Sequence, residues 1–398
     1  MKAQWPNLWH LQVFLIVLQT QNLSRAAIQL QLTQSAVSQA VARLETYFEA
    51  SLASRDATRV HPTPFGEIVA VRAERAYAFL SESLRDAANI PNRRVMQIVR
   101  TISASRLQAL VAVARYQGFA AAARSVDISA PSLHRAARDL ERTLEIELFE
   151  STSFGVRPNR KAERIARAAA LAFSEISQAR AEIDAKKGKG SGSTVIGAMP
   201  LARTHLVPAS VEMFSRDYPD HRFTIIEGAY DDLLAGLRRG DIDILVGALR
   251  EDLAFPNIVQ EEVFADQLAL VMRAAHPLAQ GGRLTKSSLR KFAWVAPRAE
   301  SPLRRHFESL FAPEEPPEDL IECNSLGAVR VILMNSNRLA LLSDAQIRYE
   351  KKAGMLVAKT APGPARVRSI GLTKRQSWEP TEIQHRFLTL LKKNARMK

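Results

Sequence analysis

The sequence predicts a mainly α half made of two winged helix-turn-helix copies, followed by an α/β half with two lobes. Three observations carry that prediction. Laid on itself at an offset of 96 positions, the chain matches without a gap from Leu11 to Pro62. From Thr194 onward, short apolar strands alternate with amphipathic helices. Between the halves, residues 186–193 read Lys-Lys-Gly-Lys-Gly-Ser-Gly-Ser, a flexible polar hinge whose glycine spacing does not fit a phosphate-binding loop.

Composition narrows the class. The chain has 398 residues, 46% hydrophobic and 24% charged, which is long enough for two to three packed units. Lys plus Arg number 55 against 41 Asp plus Glu, and the net charge of +14 favours a polyanionic partner, nucleic acid first. Residues 1–192 hold 26 basic and 17 acidic groups and the remainder 29 and 24, so the larger excess lies in the duplicated half. The lone cysteine, Cys323, rules out an intrachain disulfide and a Cys-based metal site and fits a reducing cytoplasm. The apolar run Val13 to Leu18 is too short for a membrane span, and Leu8, Leu11, Leu15 and Leu18 recur at helical spacing. The expectation is a cytoplasmic protein without a secretory leader or a membrane segment.

Each repeat reads the same way. A first helix, about Trp9 to Gln19, precedes Asn22-Leu23-Ser24, where Ser24 is expected to cap a short helix through Ala26-Ala27 to Leu30. After a tight turn, Thr33 caps a third helix whose inner stripe is Val37, Val41, Leu44 and Phe48. Its outer row, Gln34, Ser35, Ser38, Gln39 and Arg43, is polar and hydrogen-bond capable, as a helix entering a major groove requires. Arg55, Arg59, His61 and Thr63 then form a basic stretch that reads as a β-wing gripping phosphates or a minor groove.

Asn22-Leu23-Ser24-Arg25-Ala26-Ala27, Leu32-Thr33-Gln34-Ser35-Ala36-Val37-Ser38, Leu44-Glu45 and Thr63-Pro64-Phe65-Gly66 closely resemble the winged helix-turn-helix signature of LysR-type transcriptional regulators. The resemblance implies double-stranded DNA as partner, with Gln34, Ser35, Ser38 and Gln39 facing bases and Arg59 serving the wing. Ordinary members of that family carry one such unit. In the second copy Ser129, Pro131, Arg135 and Arg138 fit the pattern, whereas Ala130 replaces Gln34, His134 replaces Ser38 and Ala120 replaces Ser24. Its expected wing, Arg157, Asn159, Arg160 and Lys161, keeps the charge, and Ala162 takes the place of Gly66. Pro131, His134, Arg135, Arg138 and Arg157 are its candidate DNA contacts; the copy either reads a different sequence or serves as a phosphate clamp or dimerisation spacer.

Both units continue into alanine-rich helices, Glu67 to Ala88 and Ala162 to Ala185. The matching helix pairs between chains in LysR-type dimers. Here pairing within one chain, between chains, or both is open, and a homodimer or homotetramer is expected. The organisation is a first winged unit at 1–66, a linker helix and connector at 67–102, a second winged unit at 103–161, and a linker helix and hinge at 162–192. The α/β domain spans 193–398, with lobe I at about 193–268 and 365–398 and lobe II at about 269–364.

In that domain, strands at 195–198, 223–226 and 242–246 alternate with helices at 208–215 and 231–239, a βαβαβ order that requires a parallel sheet. A second set follows the strand 268–272: strands at 294–296, 320–323 and 339–342, helices at 303–311 and 325–334, then a strand at 367–372 and a helix at 382–393. Ile196-Gly197-Ala198, Leu206-Val207-Pro208, Tyr218-Pro219, Leu237-Arg238-Arg239-Gly240-Asp241-Ile242-Asp243 and His276-Pro277-Leu278 resemble the LysR effector-binding domain, which implies a two-lobed fold like the type 2 periplasmic binding proteins. Ser343 stands where that family has a proline, and Asn335-Ser336-Asn337-Arg338 replaces a glycine-containing turn.

The resemblance places a small-molecule effector against Pro200, Leu201, Tyr230, Pro297, Arg298, Asn324 and Ser325. Helix N-termini and an arginine favour a carboxylate, and Tyr230 offers an aromatic wall, so the expected effector is a small organic acid, anionic, with room for an aromatic body. The eight histidines are dispersed, no Gly-x-Ser-x-Gly elbow occurs, and Asp241-x-Asp243 enters a strand, where a structural use is expected. No catalytic residue, metal or cofactor is expected. The alternative to a ligand-responsive regulator is an effector-independent, DNA-bridging architectural protein with a vestigial pocket.

Overall fold

The computed structural model describes residues 5–396, apart from 57–58, 89–90, 154, 190–191, 252, 254, 282–283 and 300. The first winged unit contains α1 (Leu8–Thr20), α2 (Leu23–Leu30), α3 (Gln34–Phe48) and the antiparallel wing β1 (Ala53–Arg55) and β2 (Val60–Pro62). The first linker helix α4 (Pro64–Ala88) and a connector helix α5 (Asn92–Thr101) follow. The second unit repeats the order with α6 (Ala104–Tyr116), α7 (Phe119–Val126), α8 (Ala130–Leu144) and the wing β3 (Phe149–Thr152) and β4 (Gly155–Pro158), before the second linker helix α9 (Arg160–Lys186).

The repeat is a repeat of backbone conformation as well as sequence. Among the described residues, six non-glycine residues take left-handed φ values of 51° to 56°, and they form three pairs at the 96-residue offset: Gln21 with Gln117, Gln31 with Asp127, Glu49 with Glu145. Each closes a helix whose last carbonyls would otherwise lack partners. The Leu-Glu dipeptide common to both copies has a specific task. Glu45 Oε1 accepts from the backbone N–H of Leu52 (2.8 Å) and Ala53 (3.4 Å), and Glu141 Oε1 accepts from Leu148 (2.8 Å) and Phe149 (3.2 Å), so each carboxylate ties a wing to its third helix.

Three expectations need correction. Ser24 does not cap α2: Asn22 does, accepting from the N–H of Ser24 at 2.9 Å and Arg25 at 3.1 Å, because the helix starts two residues earlier than expected. Thr63-Pro64-Phe65-Gly66 belongs to the linker helix and not to the wing, with Thr63 Oγ1 accepting from Gly66 N at 3.0 Å and Pro64 at a first-turn position that needs no N–H. Gly66 is required there, since a Cβ would lie 1.9 Å from the Leu52 carbonyl oxygen. In the second unit Asn159 caps α9 and Arg160 and Lys161 open that helix, so of the expected second wing only Arg157 lies in a strand.

The two linker helices pack against each other within the chain. Val69, Ala73, Ala76, Leu80 and Leu84 of α4 share one core with Ile165, Ala169, Ala172, Ile176, Ala179 and Ile183 of α9, the alanines allowing close approach. One polar knot interrupts this seam. Arg72, 5% exposed, donates to Glu175 (2.8 Å) and Gln178 (2.5 Å) and pairs with Glu182, while Arg75 grips both oxygens of Glu175 at 3.0 Å. Because every charge has a partner, burying it is tolerated and fixes helix register. The same arginines donate to the carbonyls of Glu379 and Ser377, which ties the linker pair to the α/β half.

Lobe I contains β5 (Gly192–Ala198), α10 (Pro200–Thr204), α11 (Leu206–Asp217), β6 (His221–Ile226), α12 (Tyr230–Arg239) and β7 (Ile244–Ala248), with β5 parallel to both β6 and β7. The crossover strand β8 (Ile258–Arg273) begins ten residues before the expected start at Leu268, so its first part pairs in lobe I and its last part in lobe II. Lobe II adds α13 (Lys286–Leu289), β9 (Trp294–Ala296), α14 (Pro302–Glu308), β10 (Leu320–Glu322), α15 (Leu326–Met334), β11 (Leu339–Ser343), a 3₁₀ turn (Asp344–Ile347), α16 (Arg348–Lys352) and β12 (Leu356–Lys359). The return strand β13 (Val367–Arg375) and α17 (Glu382–Arg396) complete lobe I. β8 and β13 run antiparallel across the middle of the sheet and join the lobes. Ser343 caps the 3₁₀ turn and donates to Asp266 Oδ1 at 2.6 Å, supplying by side-chain hydrogen bonds the bend that a proline would have set by its ring.

Candidate functional site

In the first unit, Thr33 Oγ1 accepts from Ala36 N at 3.2 Å and lies 3.0 Å from Ser35 Oγ, so α3 begins with a defined first turn. Val37, Val41, Leu44 and Phe48 are buried, which turns Gln34, Ser35, Gln39 and Arg43 outward as exposed side chains and leaves Ser38 partly exposed. Arg55 of the wing donates to Ser38 Oγ at 3.4 Å, so wing and third helix present one continuous surface. At the wing tip Asp56 accepts from Arg59 N at 2.7 Å and lies 3.0 Å from His61 Nε2, which leaves the Arg59 side chain exposed. The C-terminal end of α3 is held by the other copy's linker helix: Arg180 pairs with Glu49 at 3.0 Å and Lys187 donates to the Glu49 carbonyl at 2.6 Å.

The second unit exposes a different surface. Ser129 caps α8, accepting from Ser132 N at 3.3 Å, with Pro131 exposed in the first turn. His134 lies flat on Phe119, ring centroids 3.8 Å apart. Arg135 is exposed, but Arg138 pairs with Glu141 at 3.0 Å and Arg142 pairs with Asp139, the residue that replaces Arg43 at the offset. Arg157 sits opposite Glu150 across the wing.

The expected effector residues lie at the C-terminal ends of parallel strands, where open α/β sheets bind ligands. Pro200 is exposed at the start of α10, after β5, and Leu201 is turned into the core at 7% exposure, so it does not line the cleft as expected. Tyr230 opens α12 beneath the guanidinium of Arg250, 4.2 Å from the ring centroid, and burial, opposed by Arg250, raises its hydroxyl pKa. In lobe II, Pro297 is buried and its carbonyl accepts from Arg304 at 3.1 Å. The exposed Arg298 and Asn324 are joined directly, Arg298 N donating to Asn324 Oδ1 at 3.0 Å, and Ser325 caps α15. Two residues absent from the expectation bear on the cleft. Arg250 has a buried Nε without a partner, and His205, after α10, bridges the lobes to Arg348 at 2.7 Å. Burial and the positive Arg348 and Lys352 lower the His205 pKa. An arginine just past a β-strand was the available signal for Arg250; nothing local marks His205.

Asp241 and Asp243 are structural. Asp241 pairs with Arg239 at 3.0 Å and with Arg115, and Asp243 Oδ2 accepts from Val195 N at 2.8 Å. Among the described residues no cluster of three or more His, Cys, Asp or Glu could hold a metal ion, and no helix is long and apolar enough to cross a membrane.

Comparison with known proteins agrees with this geometry. The description "Bacterial regulatory helix-turn-helix protein, lysR family" matches twice, at residues 8–67 and 104–163, and "LysR substrate binding domain" matches 187–396. The chain is 30% identical over 375 residues to the HTH-type transcriptional regulator GalR of Pseudomonas putida, covering 94% of this chain and 93% of that one. It is 31% identical over 222 residues to the regulator GbpR of Azospirillum brasilense, covering 55% of this chain and 65% of that one. Among solved structures, CbnR, a LysR family transcriptional regulator, shares the fold with a TM-score of 0.50 at 19% identity, covering 74% of this chain and 99% of that one. With two helix-turn-helix copies ahead of one two-lobed ligand-binding domain, the chain belongs to the LysR family of transcriptional regulators.

Proposed function

We propose that the first winged unit reads the DNA sequence and the second grips the duplex beside it, both governed by a small organic acid held between the lobes. The observation that carries this reading is the surface of α3, whose outward Gln34, Ser35, Ser38, Gln39 and Arg43 flank a wing that ends in an exposed Arg59. Glutamine pairs bidentately with adenine, serines accept or donate to either base, and arginines meet guanine or phosphate. In the second unit, Pro131 and the stacked His134 shape the helix edge, while Arg135, Arg138 and Arg157 contact phosphates. This arrangement favours affinity over discrimination.

The effector reading rests on the Arg250 guanidinium over Tyr230 in lobe I and on Arg298, Asn324 and Ser325 after the parallel strands of lobe II. Two arginines and helix N-termini suit a carboxylate, and the Tyr230 ring suits a flat organic body. Because α4 and α9 pair inside the chain, one chain already offers two winged units, and a homodimer would offer four. The protein acts in the cytoplasm as an oligomer and has no enzymatic role.

Salt titration of duplex binding tests the electrostatic part: affinity should fall by orders of magnitude between about 50 and 200 mM salt. Binding indifferent to salt, or absent at low ionic strength, would refute the reading. For the effector, aromatic and aliphatic carboxylates should raise the melting temperature of the native protein, and Arg250→Gln should remove the response.

A further inference from the structure

A cluster of four arginines lies where three modules meet. Arg115 ends α6 of the second winged unit, Arg167 projects from the linker helix α9, and Arg238 and Arg239 form the last turn of α12 in lobe I. Together with Glu163 and Asp241 they line a cavity of about 130 Å³.

The internal charges do not balance. Asp241 pairs with both Arg115 and Arg239, and Glu163 accepts from Gln117 at 3.2 Å. The guanidinium of Arg238 lies 3.5 Å from the centroid of Phe255, a contact that supplies no counter-anion. The Nε atoms of Arg167 and Arg238 are buried and have no hydrogen-bond partner. Burial and then the positive charge of Arg167 disfavour the charged form of Arg238; burial, Arg115 and Arg167 do the same at Arg239, against a smaller effect of Asp232. The C-terminal dipole of α12 offsets only about half a charge. In the lining of this partly open cavity, four cations against two carboxylates therefore leave a positive excess and two donors without partners. Guanidinium groups stay charged at any physiological pH, so the strain is relieved by an anion and not by loss of a proton.

We propose that this junction binds a small phosphate-type oxyanion, either free orthophosphate or the phosphate group of a small monoester. The cavity equals about four times the volume share of a water molecule, room for a tetrahedral anion. Guanidinium forks match such an anion in shape, and its two charges match the excess. A larger cavity of about 650 Å³ adjoins it, sharing Val111, Arg115, Ala170 and Asp241 and lined further by Tyr116, and would take the organic part of an ester. Since the four arginines come from three modules, occupation joins the second winged unit, the linker helix and lobe I through one ligand.

The test is the melting temperature of the full chain in orthophosphate, phenyl phosphate, acetate and chloride at matched ionic strength. A saturable rise of about 3 °C in phosphate but not in acetate or chloride is expected. A tighter response to phenyl phosphate than to orthophosphate assigns the site to a monoester, and the reverse assigns it to the free ion. The Arg167→Gln/Arg238→Gln double variant should melt no lower than the parent without ligand, because like charges have been removed, and should lose the phosphate response. Equal melting of the parent in all four anions, an undiminished response in the double variant, or displacement of bound phosphate by duplex DNA with the same dependence on Arg167 would overturn the proposal.

Discussion

The two winged units share a backbone and differ in how their third helices spend their charge. In the first, α3 presents Gln34, Ser35, Gln39 and Arg43 outward, and Arg43 is free enough to act at a distance on His10. In the second, Arg138 and Arg142 are engaged by Glu141 and Asp139, and His134 is stacked on Phe119. What the copies keep is scaffold: the buried stripe, the left-handed helix ends and the Glu45 or Glu141 tie. What they change is the row that would meet DNA. Duplication has preserved the physics of folding and released the physics of recognition.

If the scaffold is equivalent in the two units, its loss should cost the same in each. Leu44→Ala and Leu140→Ala each empty a fully buried site and should destabilise by about 2–5 kcal/mol in urea unfolding followed by circular dichroism. A large inequality would break the equivalence. Next in size, Glu45→Ala and Glu141→Ala each strip two backbone N–H groups of a charged acceptor and should cost about 1.5–3 kcal/mol, with faster amide exchange confined to the wing of the unit that was altered.

The smallest effect concerns pH. Burial and then Arg43 lower the pKa of His10 in the folded first unit, whereas its counterpart at the offset is Arg106, which does not titrate. A histidine with a lowered folded pKa binds its proton more readily when unfolded. Its contribution is therefore complete above the unfolded value near 6.5 and is lost as pH falls below it. Acidification from about pH 7.5 to 5 should lower the melting temperature, and Arg43→Ala should lessen that loss by removing one of its two causes. An unchanged pH dependence in Arg43→Ala would show that the coupling between recognition helix and first helix is not felt.

Much of this was legible in the sequence because periodic burial leaves periodic residues. The stripe of α3, the parallel order of lobe I and the duplication all followed from spacing. The cap of α2 was misassigned because Asn22 and Ser24 are both good capping residues, and only the dihedral angles at the start of the helix decide between them. The early start of β8 was missed because Ile258 to Gln267 alternates polar and apolar residues weakly, as a strand partly exposed on its faces does. The intrachain pairing of α4 with α9 could not be read from either helix alone, since an alanine seam fits a partner in the same chain or another equally well. In the cleft, the expectation for Tyr230, Asn324 and Arg298 came from the family resemblance, whereas Leu201 turned inward and His205 found Arg348 across 143 residues of chain, a contact that no local pattern encodes.

The division of labour between the two copies is tested most directly by selecting preferred duplexes from a random pool with the full-length protein and with Gln34→Ala and Arg135→Ala. Gln34→Ala should lose about 1–3 kcal/mol of discrimination at one base position while keeping its affinity for nonspecific duplex, and Arg135→Ala should weaken all duplexes alike and reduce the salt slope by about one. Undiminished discrimination in Gln34→Ala, or a change of preferred sequence in Arg135→Ala, would contradict the account.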